Sequence, residues 1–317
     1  MDMRKVFLRT AALALLATFI APAQAASYRY KVIDYQAPAT TLPNTEFWGI
    51  SDDGQIAADA NGDIGVSLRY GAATGRFTDV SPPGYDITAA LGVNESGAIA
   101  GYAFRLDSQN PNGFVEYGFI RSRRGAYTFI SHPGAVSGTD FRGINEHGVV
   151  TGIYDTATDL VGFIYDPARQ TFTDLNVGSG TIAHGIDSRG DVVGSTFLAA
   201  DKACAGCPAG IYGWLRDSRG SVTYFRVNSL DTRARGITES GRIAGFIGSF
   251  PNSKAFVTKL RGRSGYQALT IVADDLLVVP GFDTVAEGIS DDGVVVGILR
   301  EPTTSVTHGF TATPISR

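Results

Sequence analysis

The chain is poor in the residues most often used for chemistry. It has two cysteines, Cys204 and Cys207, and four histidines in 317 residues, and no two histidines share a metal-ligand spacing. A metal held by such residues is therefore not expected. No run has the spacing of a calcium or phosphate loop, so no cofactor is expected either. Charge is also sparse: Asp, Glu, Lys and Arg make up 18% of the chain and leave a net charge of −4. That balance argues against nucleic acid or an anionic membrane as the main partner. Beyond residue 25 there is no long apolar run, and the C-terminal TATPISR has no hydrophobic tail, so stable membrane insertion is not expected. The two cysteines form a lone CAGC with no βαβ pattern around it, which removes the usual setting of a redox motif. A local Cys204–Cys207 disulfide stiffening a loop of an exported protein is the expected state.

The first 25 residues, MDMRKVFLRTAALALLATFIAPAQA, read as a secretory signal cleaved near Ala25. Basic residues precede an apolar run of about ten residues, half of the roughly 20 that span a bilayer. Residues 26–317 are then expected as a single domain, monomeric, secreted or periplasmic. Their loss of Arg4, Lys5 and Arg9 against Asp2 makes them more acidic than the whole chain.

What the chain has in abundance is glycine, 39 of them, among short runs of Val, Ile, Thr, Tyr and Phe. This is the composition of many short strands joined by tight turns. One motif recurs six times: TEFWGISDDGQIAA from Thr45, TAALGVNESGAIAG from Thr88 and TDFRGINEHGVVTG from Thr139. It returns as TIAHGIDSRGDVVG from Thr181, TRARGITESGRIAG from Thr232 and TVAEGISDDGVVVG from Thr284. The spacing of the central glycines, 42 to 52 residues, suggests a β-propeller array. Within each copy, Ser51, Asn94, Asn145, Asp187, Thr238 or Ser290 can close a turn with a side-chain oxygen. A glycine three residues later (Gly54, Gly97, Gly148, Gly190, Gly241, Gly293) stands where a hairpin needs positive φ.

Two further β-like runs follow each hairpin, as in VGFIYD and TFTDLNV of the third copy, giving four strands per unit. The sixth copy stops after HGFTATP, one strand short, and Tyr30–Asp34 ahead of the first copy matches the missing strand. The expected fold is all-β: a six-bladed β-propeller of four-stranded antiparallel blades, the last closed by an N-terminal strand, which removes the free edge. The pattern G-[IV]-[NSDT]-x-x-G-x-[IV]-[AV] followed by an aromatic strand such as His308-Gly309-Phe310 resembles the bacterial extracellular repeat family named for its His-Ala-Phe signature. The resemblance covers essentially all of residues 26–317, and other copies read Tyr-Gly-Phe, Val-Gly-Phe, Tyr-Gly-Trp or Lys-Ala-Phe. It implies export and repeated β structure, and no reaction.

In such a propeller, connections after the second and fourth strands gather on one face, and here those are the long and variable ones. That face is the candidate binding face. The six repeated threonines keep one offset, which points to packing where blades converge. The position before each central glycine varies instead: Trp48, Leu91, Arg142, His184, Arg235 and Glu287. Three residues before the glycine stand Glu46, Ala89, Asp140, Ile182, Arg233 and Val285. Together Asp140, Arg142, His184, Arg233, Arg235 and Glu287, with Trp48 as a stacking face, form a candidate ligand-binding mouth for an anionic sugar or carboxylate. The plainer reading is that Arg235 pairs with Glu287 and Arg142 with Asp140 to settle charge. A catalytic reading makes Glu46 and Glu287 an acid/base pair for glycoside hydrolysis, or His184 a base in eliminative cleavage of a uronic acid. An exported scaffold binding carbohydrate or another exported protein is the first expectation, and a glycan hydrolase or lyase is the alternative.

Overall fold

In the computed structural model, residues 28–36, 44–60, 65–260, 269–271 and 273–315 are described. The expected signal segment lies outside them. The described chain forms six sheets. An N-terminal strand, β1 (Tyr28–Ile33), precedes blade 1, which contains β2 (Thr45–Ile50), β3 (Gln55–Ala60), β4 (Val66–Gly71) and β5 (Arg76–Asp79). Blade 2 contains β6 (Ile87–Val93), β7 (Ile99–Leu106), β8 (Phe114–Arg121) and β9 (Tyr127–Ile130). Blade 3 contains β10 (Thr139–Ile144), β11 (Val150–Asp155), β12 (Leu160–Asp166) and β13 (Thr171–Leu175). Blade 4 contains β14 (Ser179–Ile186), β15 (Val192–Leu198), β16 (Gly210–Arg216) and β17 (Val222–Val227). Blade 5 contains β18 (Thr232–Ile237), β19 (Arg242–Ile247) and β20 (Lys254–Lys259); β21 (Leu269–Ile271) and β22 (Asp275–Leu277) follow. Blade 6 contains β23 (Asp283–Ile289), β24 (Val295–Arg300) and β25 (Thr307–Pro314). The six-bladed all-β propeller expected from the repeats is the fold observed.

The orphan N-terminal strand does close the ring: β1 pairs antiparallel with β25 from Tyr28↔Pro314 to Ile33↔Gly309. The approach to blade 6 carries two short strands. β21 adds to the outer edge of blade 4 in parallel with β17, and β22 then becomes the outer strand of blade 5. One stretch of chain thus stitches two blades.

All six hairpin glycines have positive φ, between 76° and 88°. The turn oxygens behave as read from the repeats, with Asn94 Oδ1 and Asn145 Oδ1 accepting from Ala98 N and Val149 N at 3.0 Å. Their amides add a second bond, to the backbone of the next blade: Asn94 Nδ2 to Asn145 O and Asn145 Nδ2 to Asp187 O. The repeated threonines are all buried, and five accept a backbone N–H from the preceding blade, as Thr139 Oγ1 does from His132 at 2.9 Å. The sixth, Thr181, donates to Gly178 O instead. A hydroxyl at a blade seam therefore satisfies a backbone donor that the outer strands leave over.

The central glycines have their own reason. A Cβ on Gly92 would lie 2.7 Å from Arg142 O, and one on Gly143 only 2.2 Å from His184 O, each on the next blade. Inner strands converge on the axis closely enough to exclude any side chain there. Immediately before five of these glycines, and across His184 and Gly185 in blade 4, the inner ladder shifts register, so that every blade carries an irregularity there. Each bulged residue is released from regular pairing and lines the channel.

Candidate functional site

The bulges place Trp48, Leu91, Arg142, His184, Arg235 and Glu287 round one narrow axial cavity of about 100 Å³. Two of the arginines expected at this mouth are already engaged, Arg235 by the adjoining blades and Arg142 by its own strand. Arg235 Nη1 donates to His184 Nε2 at 2.6 Å, and its Nε lies 3.4 Å from Glu287 Oε2. Arg142 Nη2 donates to Asp140 Oδ2 at 3.1 Å. Arg233 turns away: it donates to Gly248 O at 3.0 Å and lies over the Phe246 ring, and it does not line the axial cavity.

Burial sets the protonation of this cluster. It lowers His184 well below the ordinary histidine value, helped by the adjacent Arg235 and Arg142 charges, so His184 is neutral. Burial raises Glu287 to about 7 against the opposing pull of Arg235, and lowers Arg235 to about 10 despite Glu287. Charges here are largely settled among themselves, as the plainer reading of the pairs anticipates.

A larger cavity, about 470 Å³, opens beside the axis on the long-loop face, over blade 2 and its seams with blades 1 and 3. Blade 2 supplies the room: Ala89 and Leu91 stand where neighbouring blades carry Glu46 and Trp48, or Asp140 and Arg142. Its wall holds five carboxyl groups, Glu46, Asp59, Glu116, Asp140 and Asp155, against one guanidinium, Arg142, together with Trp48, Tyr102, Phe114 and Tyr154.

Three of those carboxyls are in contrasting states. Asp59 is 1% exposed and sits directly across the strand pair from Glu46. Burial first, and the Glu46 charge second, push it well above the usual carboxylate range. The Trp48 indole lies near enough to favour the charged form, but Asp59 Oδ1 and Trp48 Nε1 have no hydrogen-bond partner of normal geometry among the described residues. Glu116 is raised to about 9, by burial and then by Asp140, with which it shares a hydrogen bond. Its Oε1 occupies the space a Cβ at Gly138 would need, 2.1 Å away, so glycine at 138 is what lets this carboxyl into the cavity. Burial pushes Asp155 upward as well, but hydrogen bonds from Ser137 and from Gly138 N at 2.7 Å outweigh it and hold Asp155 below the usual range.

The proposed acid/base partners Glu46 and Glu287 line different cavities, Glu46 the lateral one and Glu287 the axial one. Asp59, Glu116, Tyr102 and Asp155 escaped the repeat-based reading because they come from second and third strands. A signal was nevertheless present. At the Asp59 position the other copies carry Tyr102, Ile153, Ser195, Phe246 and Ile298, so an acid there stands out.

The opposite mouth of the channel is also acidic, but its carboxylates serve as ties between blades. Glu146 accepts from Glu95 N at 2.9 Å, Glu239 from Ser188 N at 2.7 Å, Asp291 from Glu239 N at 2.8 Å and Asp52 from Asp291 N at 2.6 Å. The expected Cys204–Cys207 disulfide is present, with a Cα–Cα distance of 5.2 Å, in the loop between β15 and β16 on the long-loop face. Such a bond suits an oxidising compartment. No helix among the described residues is long and apolar enough to cross a membrane.

No protein-family model and no curated protein sequence matches the chain. Among solved structures it is similar to a streptogramin B lyase, with 13% identity, TM-score 0.44, and 91% of this chain and 99% of that one covered. It is similar also to a proposed gluconolactonase (11% identity, TM-score 0.49, covering 87% and 92%). A puromycin-hydrolyzing peptidase of Mycobacterium tuberculosis gives 11% identity and TM-score 0.45 over 93% of this chain and 53% of the peptidase. At this distance none of those activities passes to the present chain.

Proposed function

We propose that this is an exported binding protein that takes a short saccharide into the lateral cavity of its long-loop face. The observation that carries the reading is the cavity itself. About 470 Å³ falls in the range of small-molecule sites, and its wall holds both aromatic rings and carboxyl groups. Rings stack on the apolar faces of sugars, and carboxylates accept from hydroxyls. The leader-like N-terminus, the disulfide and the resemblance to the His-Ala-Phe repeat family support export. Exposed apolar residues near the same face, among them Leu106, Val136, Leu160, Leu230, Phe250 and Val278, favour contact with something larger than a monosaccharide.

Trp48 lines the cavity, whereas the other tryptophan, Trp214, is fully buried in blade 4. Titrating residues 26–317 with short oligosaccharides is therefore expected to change tryptophan emission, and Trp48→Phe to remove that change. Absence of binding by calorimetry across neutral, acidic and amino saccharides would refute the reading.

One observation favours a second reading, glycoside hydrolysis: Glu116 keeps its proton near neutral pH while Asp155 in the same cavity stays ionised. Two carboxyls driven to opposite states are what an acid and its partner carboxylate require. Release of shortened product from a polysaccharide, abolished in a folded Glu116→Gln variant, would make the protein an enzyme.

A further inference from the structure

The lateral cavity is built with an excess of acid that a neutral sugar does not need. Its single guanidinium, Arg142, is engaged by Asp140. Asp59 is the most informative member, since a carboxyl 1% exposed, with one oxygen lacking a partner among the described residues and another acid directly across the ladder, is unfavourable in an empty site. Such a group persists where it meets a ligand of opposite charge.

We propose that the ligand of this cavity presents a protonated amine, and that Asp59, with Glu46 beside it, receives the ammonium. Under the saccharide reading above, on which this form rests, the ligand is an amino sugar. The rings of Trp48, Tyr102 and Tyr154 give the remaining wall a face that also attracts a cation. A bare metal ion fits less well: among the described residues no three His, Cys, Asp or Glu side chains are arranged to hold one, and the cavity has room for an organic molecule. An anionic sugar, the ligand suggested by the arginines in the sequence, would meet five carboxyls here.

The titratable groups facing Asp59 are Glu46 across the strand pair and Tyr102 on the neighbouring blade. An entering ammonium replaces the repulsion from Glu46 by an attraction, so the proton that Asp59 holds leaves to solvent as the ion pair forms. Binding is accordingly expected to release protons, read by calorimetry as a dependence of the observed heat on the ionisation enthalpy of the buffer.

The decisive comparison uses one sugar backbone with its charge present or removed: glucosamine oligosaccharides of two to four units against their N-acetylated counterparts, with spermidine as an amine without a sugar. The expected result is at least roughly tenfold tighter binding of the amino form, with the ratio collapsing toward one in Asp59→Asn. That variant has nearly the shape of the protonated carboxyl it replaces and should fold. Glu46→Gln, tested in parallel, should lower the same ratio. Equal binding of amino and N-acetylated oligosaccharides overturns the amine inference and leaves the saccharide reading standing. Asp59-dependent binding of spermidine with no saccharide bound supports the amine inference and overturns the saccharide reading. No binding by any of the three overturns both.

Discussion

Glu287 and His184 show how a position on a bulge acquires its chemistry from its neighbours. Both are buried at the axis, and burial drives each toward its neutral form, which raises the carboxyl to about 7 and lowers the imidazole. The consequences for stability have opposite signs. A carboxyl raised above its unfolded value of 4.5 contributes stabilisation that is complete below pH 4.5 and lost as pH rises through about 7. A depressed histidine contributes stabilisation that is present above 6.5 and lost as pH falls toward its folded value. Glu287→Gln deletes only the first. Melting temperatures of the native protein relative to that variant are therefore expected to decline from pH 4.5 to 7, measured by thermal melts across pH 4.5–8; parallel profiles would mean that Glu287 titrates normally. The varying residues before the central glycines were legible in the sequence as one ring of side chains. Which of them would neutralise each other was not, because that depends on distances of a few ångströms between residues 42 to 52 positions apart.

At the scale of elements, closure by β1 is the step on which the rest depends. Without it β25 would present an unpaired edge. The junction carries a titratable clasp: His308 Nδ1 meets Asp34 Oδ2 at 2.9 Å and its Nε2 lies 3.4 Å from Glu301 Oε1. The hydrogen bond to Asp34 raises His308 above the ordinary value, with burial opposing. The clasp therefore stabilises fully below pH 6.5 and is lost as pH rises through the raised value. His308→Ala is expected to cost about 0.5–1 kcal/mol at pH 6 and close to nothing at pH 9, measured by denaturant unfolding at both. An equal loss at the two pH values would reduce the clasp to simple packing. The matching pattern of residues 30–34 made β1 readable in advance. The β21–β22 crossover was not readable, since strands of three residues have too little periodicity to announce themselves and are placed by the edges they happen to meet.

For the whole molecule, the ring makes each blade depend on both neighbours, through the threonine seams, the asparagine ties and the glycine contacts at the axis. Unfolding should accordingly be one event. In Trp48→Phe the fluorescence of Trp214 reports blade 4 alone, and its urea transition is expected to coincide with that of far-ultraviolet circular dichroism; separate midpoints would mean that the blades fail independently. The repeats by themselves determined the blade count, the hairpins, the seam positions and the closing strand, because strand period, turn residues and spacing are local properties that recur six times and check one another. The disulfide followed from cysteine count and spacing. Only the tertiary structure decided where the lateral cavity lies. The small and apolar positions of blade 2, Ala89 and Leu91, open a space that becomes visible when Asp59, Glu116 and Asp155, from three different blades, are brought to its wall. It also set the charge of the two cavities: the arginines read from the sequence are drawn to partners on their own or adjoining blades, and the wall of the lateral cavity is mostly carboxyl, since electrostatic pairing acts through space and not along the chain.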